Sequence, residues 1–191
     1  MKKIVNLLIF VIILVSIGFG IYEISNNDVY EALICLTIIP IVYLPKIVRK
    51  IFKFEISNIN EIIFIVFVFL AHFLGSILNF YNNIYFYDKL VHFLSGMVVS
   101  MIVIEFLVKN KRYDENYIFN ILFVLGMSFI IAGFWEYFEY TCDFIFKKDA
   151  QHVLTTGIND TMQDMIVATL GTGLLLLFNY LLNIYQLFEK K

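Results

Sequence analysis

Three short blocks hold the residues most able to do chemistry. "YDKLVHFLSG" sets Asp88 four positions before His92, and "GINDTMQDMIVATLG" sets Asp160 four positions before Asp164. "WEYFEYTCDF" spaces Glu136, Glu139 and Asp143 by three and then four. Residues three or four apart share one face of a helix, so each block presents its ionisable groups together. Carboxylate oxygens with one imidazole form a hard to borderline ligand set, and an i,i+4 Asp/His pair offers two ligands from one helical face. Asp88, His92, Asp160 and Asp164 are therefore the candidate ligands of a divalent metal ion, the one cofactor expected. A metal with an open position makes a nucleophile of its bound water, and Glu136 or Glu139 is the candidate general base.

The surroundings give those groups their force. An ionisable side chain at the centre of a bilayer costs about 2.5–3.5 kcal/mol, less near the surface. Six like charges cannot stay ionised together without a partner. Lys89 adjoins Asp88, but consecutive helical positions diverge, so it is expected to point away. The compensation is then expected from a bound metal or from shared protons.

The elements that must position these blocks are membrane helices. The chain of 191 residues is 61% hydrophobic and 16% charged, where soluble domains hold about 45–50% and about 25%. Mean hydropathy is +0.83. Six apolar stretches, 4–24, 30–48, 61–80, 87–108, 117–140 and 161–186, are each long enough to cross about 30 Å of hydrocarbon. Pro40 and Pro45 predict a kink in the second. The first, although preceded by Lys2 and Lys3, lacks a clear small-residue cleavage site and reads as a retained helix. The fold expected is an all-α polytopic bundle of about six spans in one integral membrane domain, 1–191. It comprises an N-terminal helix pair with a basic loop, 1–54, and a four-helix core, 55–191.

Orientation follows the basic residues. Lys2, Lys3, Lys46, Arg49, Lys50, Lys53, Lys109, Lys111, Arg112, Lys190 and Lys191 fall on one side, and Lys89, Lys147 and Lys148 on the other. Both termini are thereby expected in the cytoplasm, and all three acidic blocks at the outer face, at one depth. Small residues continue the acidic stripes inward: Ser95 and Gly96, Ala132 and Gly133, Ala168 and Gly171. Such residues let membrane helices approach closely. The third stretch carries its own polar stripe, His72, Gly75, Ser76 and Asn79.

Plainer roles compete. Asp88 and Asp160 suit helix capping, Glu139 and Asp143 solvation at the rim, and His72 a hydrogen bond within the bundle. Trp135, Tyr137, Tyr140, Tyr85 and Tyr87 suit an interfacial aromatic belt, and "KIVRKIFKF" an inner-surface anchor on anionic lipid. The net charge of −2 argues against a nucleic-acid partner, which would need a basic patch. Cys35 and Cys142 stand too isolated for a disulfide or zinc framework.

Taken in order, the three blocks resemble the YjdF-like family of bacterial inner-membrane proteins over about residues 55–185, and are more distantly similar to VanZ-like membrane proteins. The resemblance implies a multi-helix protein of the bacterial inner membrane. It places Asp88, His92, Glu136, Glu139, Asp160, Thr161 and Asp164 on the family's recurrent polar positions. The chain departs from the pattern at Thr156 and Ile158, which sets the 150–159 loop apart from the site. Two activities fit these readings: a metal-dependent enzyme on a lipid or envelope substrate, or a cation- or proton-coupled transporter. A structural or assembly role, with the acids binding helices together, is the third.

Overall fold

A computed structural model of the chain describes residues 2–54, 56–114, 117–147 and 149–189. Lys148, Lys190 and Lys191, which enter the orientation argument, lie outside the described residues. Every regular element among the described residues is helical. Among the described residues five helices are long and apolar enough to cross a membrane, or six if a bent pair is counted as one span. The chain divides into two compact units, Met1–Tyr87 and Asp88–Lys191.

In the first unit, α1 (Lys2–Ser25) and α2 (Val29–Val42) form a hairpin. Asp28 starts α2 by accepting a 3.0 Å hydrogen bond from the Glu31 amide, one of the donors a helix N-terminus leaves unpaired. Val5, Ile9 and Ile12, spaced by four and three, bury one stripe of α1 against Ile38 and Val42. Pro40 and Pro45 kink the second span as expected: α2 ends at Val42, α3 (Leu44–Phe52) begins beyond Tyr43, and their axes differ by 44°. Pro45 sits in the first turn of α3, where a missing N–H breaks no bond. Arg49 ties α3 to α4 (Asn58–Val68) through buried Glu61 at 3.6 Å. From Phe69 to Ile77 the third span widens into π-type turns, followed by the short α5 (Phe80–Asn83).

The second unit holds α6 (Tyr87–Lys109), α7 (Tyr117–Phe146), the short α8 (Val153–Thr156), α9 (Asn159–Leu182) and α10 (Gln186–Glu189). Val103, Ile104 and Leu107 pack with Val124, Leu175 and Phe188 in its apolar core. Helices α6 and α9 cross backbone to backbone. A Cβ at Gly96 would run into the Ala168 carbonyl oxygen, and one at Gly171 into that of Phe93. Thr172 reinforces the crossing with hydroxyl contacts to the Gly96 carbonyl (3.2 Å) and to Ser128 of α7 (2.6 Å). Of the small-residue stripes, those of α6 and α9 meet in this way. On α7 the expectation is corrected: nothing lies within 4 Å of a Cβ at Gly133, and the inward stripe is Asn120, Val124, Ser128 and Glu136.

Candidate functional site

The first turns of α6 and α9 bring their acids together around a lysine. Lys89 donates to all three neighbouring aspartates, at 2.9 Å to Asp88 Oδ2, 2.6 Å to Asp160 Oδ1 and 2.7 Å to Asp164 Oδ1. An ammonium carries three protons, so this tripod saturates it. The expectation that Lys89 points away from Asp88 is overturned. Successive helical positions do diverge, but the four-carbon lysine stem is long enough to carry its head back over the first turn.

His92 lies one turn deeper and is buried. Its Nε2 stands 3.5 Å from Asp88 Oδ1 and 3.9 Å from Asp164 Oδ1. Asp88 therefore bridges lysine and histidine with its two oxygens. Asp164, with 3% of its side chain exposed, is the most buried of these acids. One ligand atom from each of Asp88, His92 and Asp164 lies within 4.8 Å of the others, wider than the separation of about 3.4 Å that tetrahedral donors about 2.1 Å from one ion would have, so an ion there would draw the three inward. Asp160 is not in this trio; it acts through Lys89. It does not cap its helix either, since Ile158 holds the N-cap position.

Helix α7 supplies a second layer. Glu136 is buried, and Gln151 donates to its backbone carbonyl at 3.2 Å and to Oε2 at 3.4 Å. Glu139 accepts a 2.7 Å hydrogen bond from the Trp135 indole and lies within electrostatic range of His92, Asp88 and Glu136. Asp143 is a loop anchor, accepting from the backbone amides of Ala150 (2.6 Å) and Gln151 (3.0 Å). The 150–159 loop thus delivers Gln151 to Glu136, a role that no reading of its spacing anticipated. A glutamine fifteen residues past the acid it meets carries no periodic signal, because its reach depends on a turn.

These contacts sit on a recognisable sequence frame. The family described as "Predicted membrane protein (DUF2238)" matches residues 4–184. The chain belongs to that family. A relative from Thermotoga maritima, printed as "Uncharacterized protein", is 30% identical over 127 residues, covering 66% of this chain. The chain spans 65% of that relative's length. No solved structure matches. Family membership makes this a membrane protein and covers all three blocks.

Within this family member the remaining candidates take plainer places. His72 bonds through Nε2 to the Ile34 carbonyl (2.9 Å) and lies 3.1 Å from the Thr37 hydroxyl, fastening the third span to α2. His152 adopts a left-handed φ of 52°, and its backbone carbonyl accepts from the Thr155 and Thr156 hydroxyls. Tyr85, Tyr137 and Tyr140 are exposed, as an interfacial belt requires, whereas Tyr87 is buried and donates to the Leu70 carbonyl at 2.8 Å. One further ion pair went unread in the sequence. Glu105, fully buried in α6, holds Lys109 at 2.6 Å, and its signal was the i,i+4 Glu-to-Lys spacing within the fourth apolar stretch.

Proposed function

We propose that this membrane protein holds one divalent metal ion between α6 and α9, with Asp88, His92 and Asp164 as ligands. The observation that carries the reading is the charge left over once Lys89 is counted. With His92 neutral, as a metal ligand must be, and the carboxylates ionised, three aspartates and one ammonium leave a net charge of −2. A divalent ion brings the five-residue cluster to zero, and burial makes an unpaired charge costly. One nitrogen and two carboxylate oxygens suit Zn²⁺ or Mn²⁺. Asp160 holds Lys89 in place as the fixed part of the compensation.

The positive-inside pattern puts both termini in the cytoplasm and this cluster at the outer face of a bacterial cytoplasmic membrane. The bacterial relative and the YjdF-like resemblance of the three blocks accord with that placement. A site at that depth meets lipid or envelope substrates. A bound ion would supply a more acidic water, and Glu139, within electrostatic range of His92, would be the residue to serve as base. Glu136, held by Gln151, supports it.

The test is metal content. Purified protein, dialysed against Zn²⁺ or Mn²⁺ and then freed of excess, should retain about one ion per chain, the stoichiometry of a single three-ligand site. His92→Ala and Asp164→Asn should each lose it while still inserting in the membrane. Wild-type protein that takes up no divalent ion under any loading condition would overturn the reading.

A further inference from the structure

Helix α3 has no part in the cation cluster and carries two opposed stripes. Leu44, Ile47, Val48 and Ile51 follow the three-and-four spacing of one helical face. Lys46, Arg49 and Lys50 take the opposite face, and Lys53 follows at the C-cap. Protein leaves much of the apolar stripe uncovered: Leu44, Ile47 and Ile51 are 43%, 40% and 65% exposed. A helix with one apolar and one basic face suits a membrane surface, its apolar side set into the boundary of the acyl chains.

Depth agrees with that setting. The 14 residues of α2 rise about 21 Å, short of a hydrocarbon core about 30 Å thick. The nine residues of α3, bent by 44°, add about 10 Å of depth when α2 follows the bilayer normal. The last turn of α3 therefore reaches the headgroups.

Charge at this end of the first unit is in surplus. Six basic residues, Lys2, Lys3, Lys46, Arg49, Lys50 and Lys53, stand against Glu55 and Glu61, which leaves four positive charges. Arg49 is engaged by Glu61 at 3.6 Å and by the Ile56 carbonyl at 3.3 Å. Lys46 lies over the Tyr43 ring and donates to Asn6 Oδ1 at 3.4 Å. That bond sets the first turns of α1, with exposed Lys2 and Lys3, beside α3. Lys50 and Lys53 are exposed as well.

We propose that α3 is a docking surface for anionic phospholipid headgroups, with Ile47 and Ile51 among the acyl chains and Lys50 and Lys53 reaching up to the phosphate. The positive-inside rule puts this surface at the cytoplasmic leaflet, where basic segments attract acidic lipid. It needs no metal and stands apart from the cation cluster.

The experiment places the full chain in nanodiscs of equal phosphatidylglycerol and phosphatidylcholine and weighs the lipids that remain bound on ejection into a mass spectrometer. Phosphatidylglycerol should be enriched about fivefold over the bulk mixture, the ratio that one effective basic side chain supports. Lys50→Gln/Lys53→Gln should return to the bulk ratio, and Lys50→Arg/Lys53→Arg should keep the enrichment. A role confined to the dipole at the end of α3 would change stability and leave the lipid ratio unmoved. Lys111→Gln/Arg112→Gln should also keep the enrichment, because Asp114 and Glu115 offset those charges in the sequence. A bulk ratio in the wild type, or enrichment that survives Lys50→Gln/Lys53→Gln, overturns the proposal.

Discussion

Lys89→Met removes the ammonium while keeping a stem of similar length. Three charge-assisted hydrogen bonds of 2.6 to 2.9 Å disappear, leaving Asp88, Asp160 and Asp164 to repel one another. Breaking a fully buried ion pair costs about 3–5 kcal/mol, but exposed pairs are worth about 1 kcal/mol or less. The Lys89 side chain is 26% exposed, so a loss of about 2–3 kcal/mol is expected. For a chain of this size that is a fall of about 5–10 °C in Tm. Metal affinity should move the other way. A +1 and a +2 charge about 5 Å apart repel by about 7 kcal/mol at an effective dielectric of 20. The Asp160 carboxylate, 2.6 Å from the ammonium, offsets most of this, so a tenfold gain in divalent affinity, about 1.4 kcal/mol, is the least expected. Saturating Zn²⁺ should then restore the lost Tm, since a ligand of the folded state stabilises it by mass action. The assay is thermal unfolding in detergent with and without metal, beside titration calorimetry. A variant as stable as the wild type, with unchanged metal affinity, would refute the claim that this ammonium shares the cluster with the metal.

Other perturbations have defined outcomes. Gly96→Ala should lower stability by about 2–4 kcal/mol, because its methyl group meets a backbone carbonyl that cannot turn aside; thermal melts check it, and Gly126→Ala, with nothing within 4 Å, is the control. Gln151→Leu removes a buried donor from Glu136 and should cost about 1–2 kcal/mol, with faster protease cutting in the 147–157 segment. Lys109→Met takes from fully buried Glu105 the ammonium at 2.6 Å, and should cost about 3 kcal/mol in chemical denaturation. Burial raises the Tyr113 hydroxyl to about 12, so the folded chain keeps a proton that the unfolded chain releases near about 10. Stability should therefore fall as pH climbs through that window, and Tyr113→Phe should flatten the fall in denaturant melts taken along the range.

Helix positions were legible because spans obey a length rule that composition satisfies on its own. The fourth stretch, 87–108, differs from α6 by a single residue at its C-terminal end, and the bend in the second follows from its prolines. The ends of α7 and α9 were less legible. Helix α7 runs on past the acidic block to Phe146, through Asp143 and the apolar Phe144, Ile145 and Phe146, and α9 stops at Leu182, where Asn183 takes a left-handed φ of 51°. At the site, the convergence of Asp88, His92 and Asp164 was readable from their spacing and common depth. The position of Lys89 was not, because helical periodicity locates a Cβ and says little about where a long flexible side chain ends. Glu136 and Gln151 show the same limit for loops, whose reach comes from turns that Asp143 and Asp149 stabilise through backbone amides.

The contact of Gly96 with Ala168, and of Gly171 with Phe93, acts as the pivot of a pair of callipers whose jaws are the first turns of α6 and α9. Nothing bulky cushions the pivot, so the gap between the jaws cannot drift without prising two backbones apart. Any added volume there would spread Asp88 from Asp164 from a turn or more away, and the spacing of the cluster is thereby written into two residues that have no side chain at all.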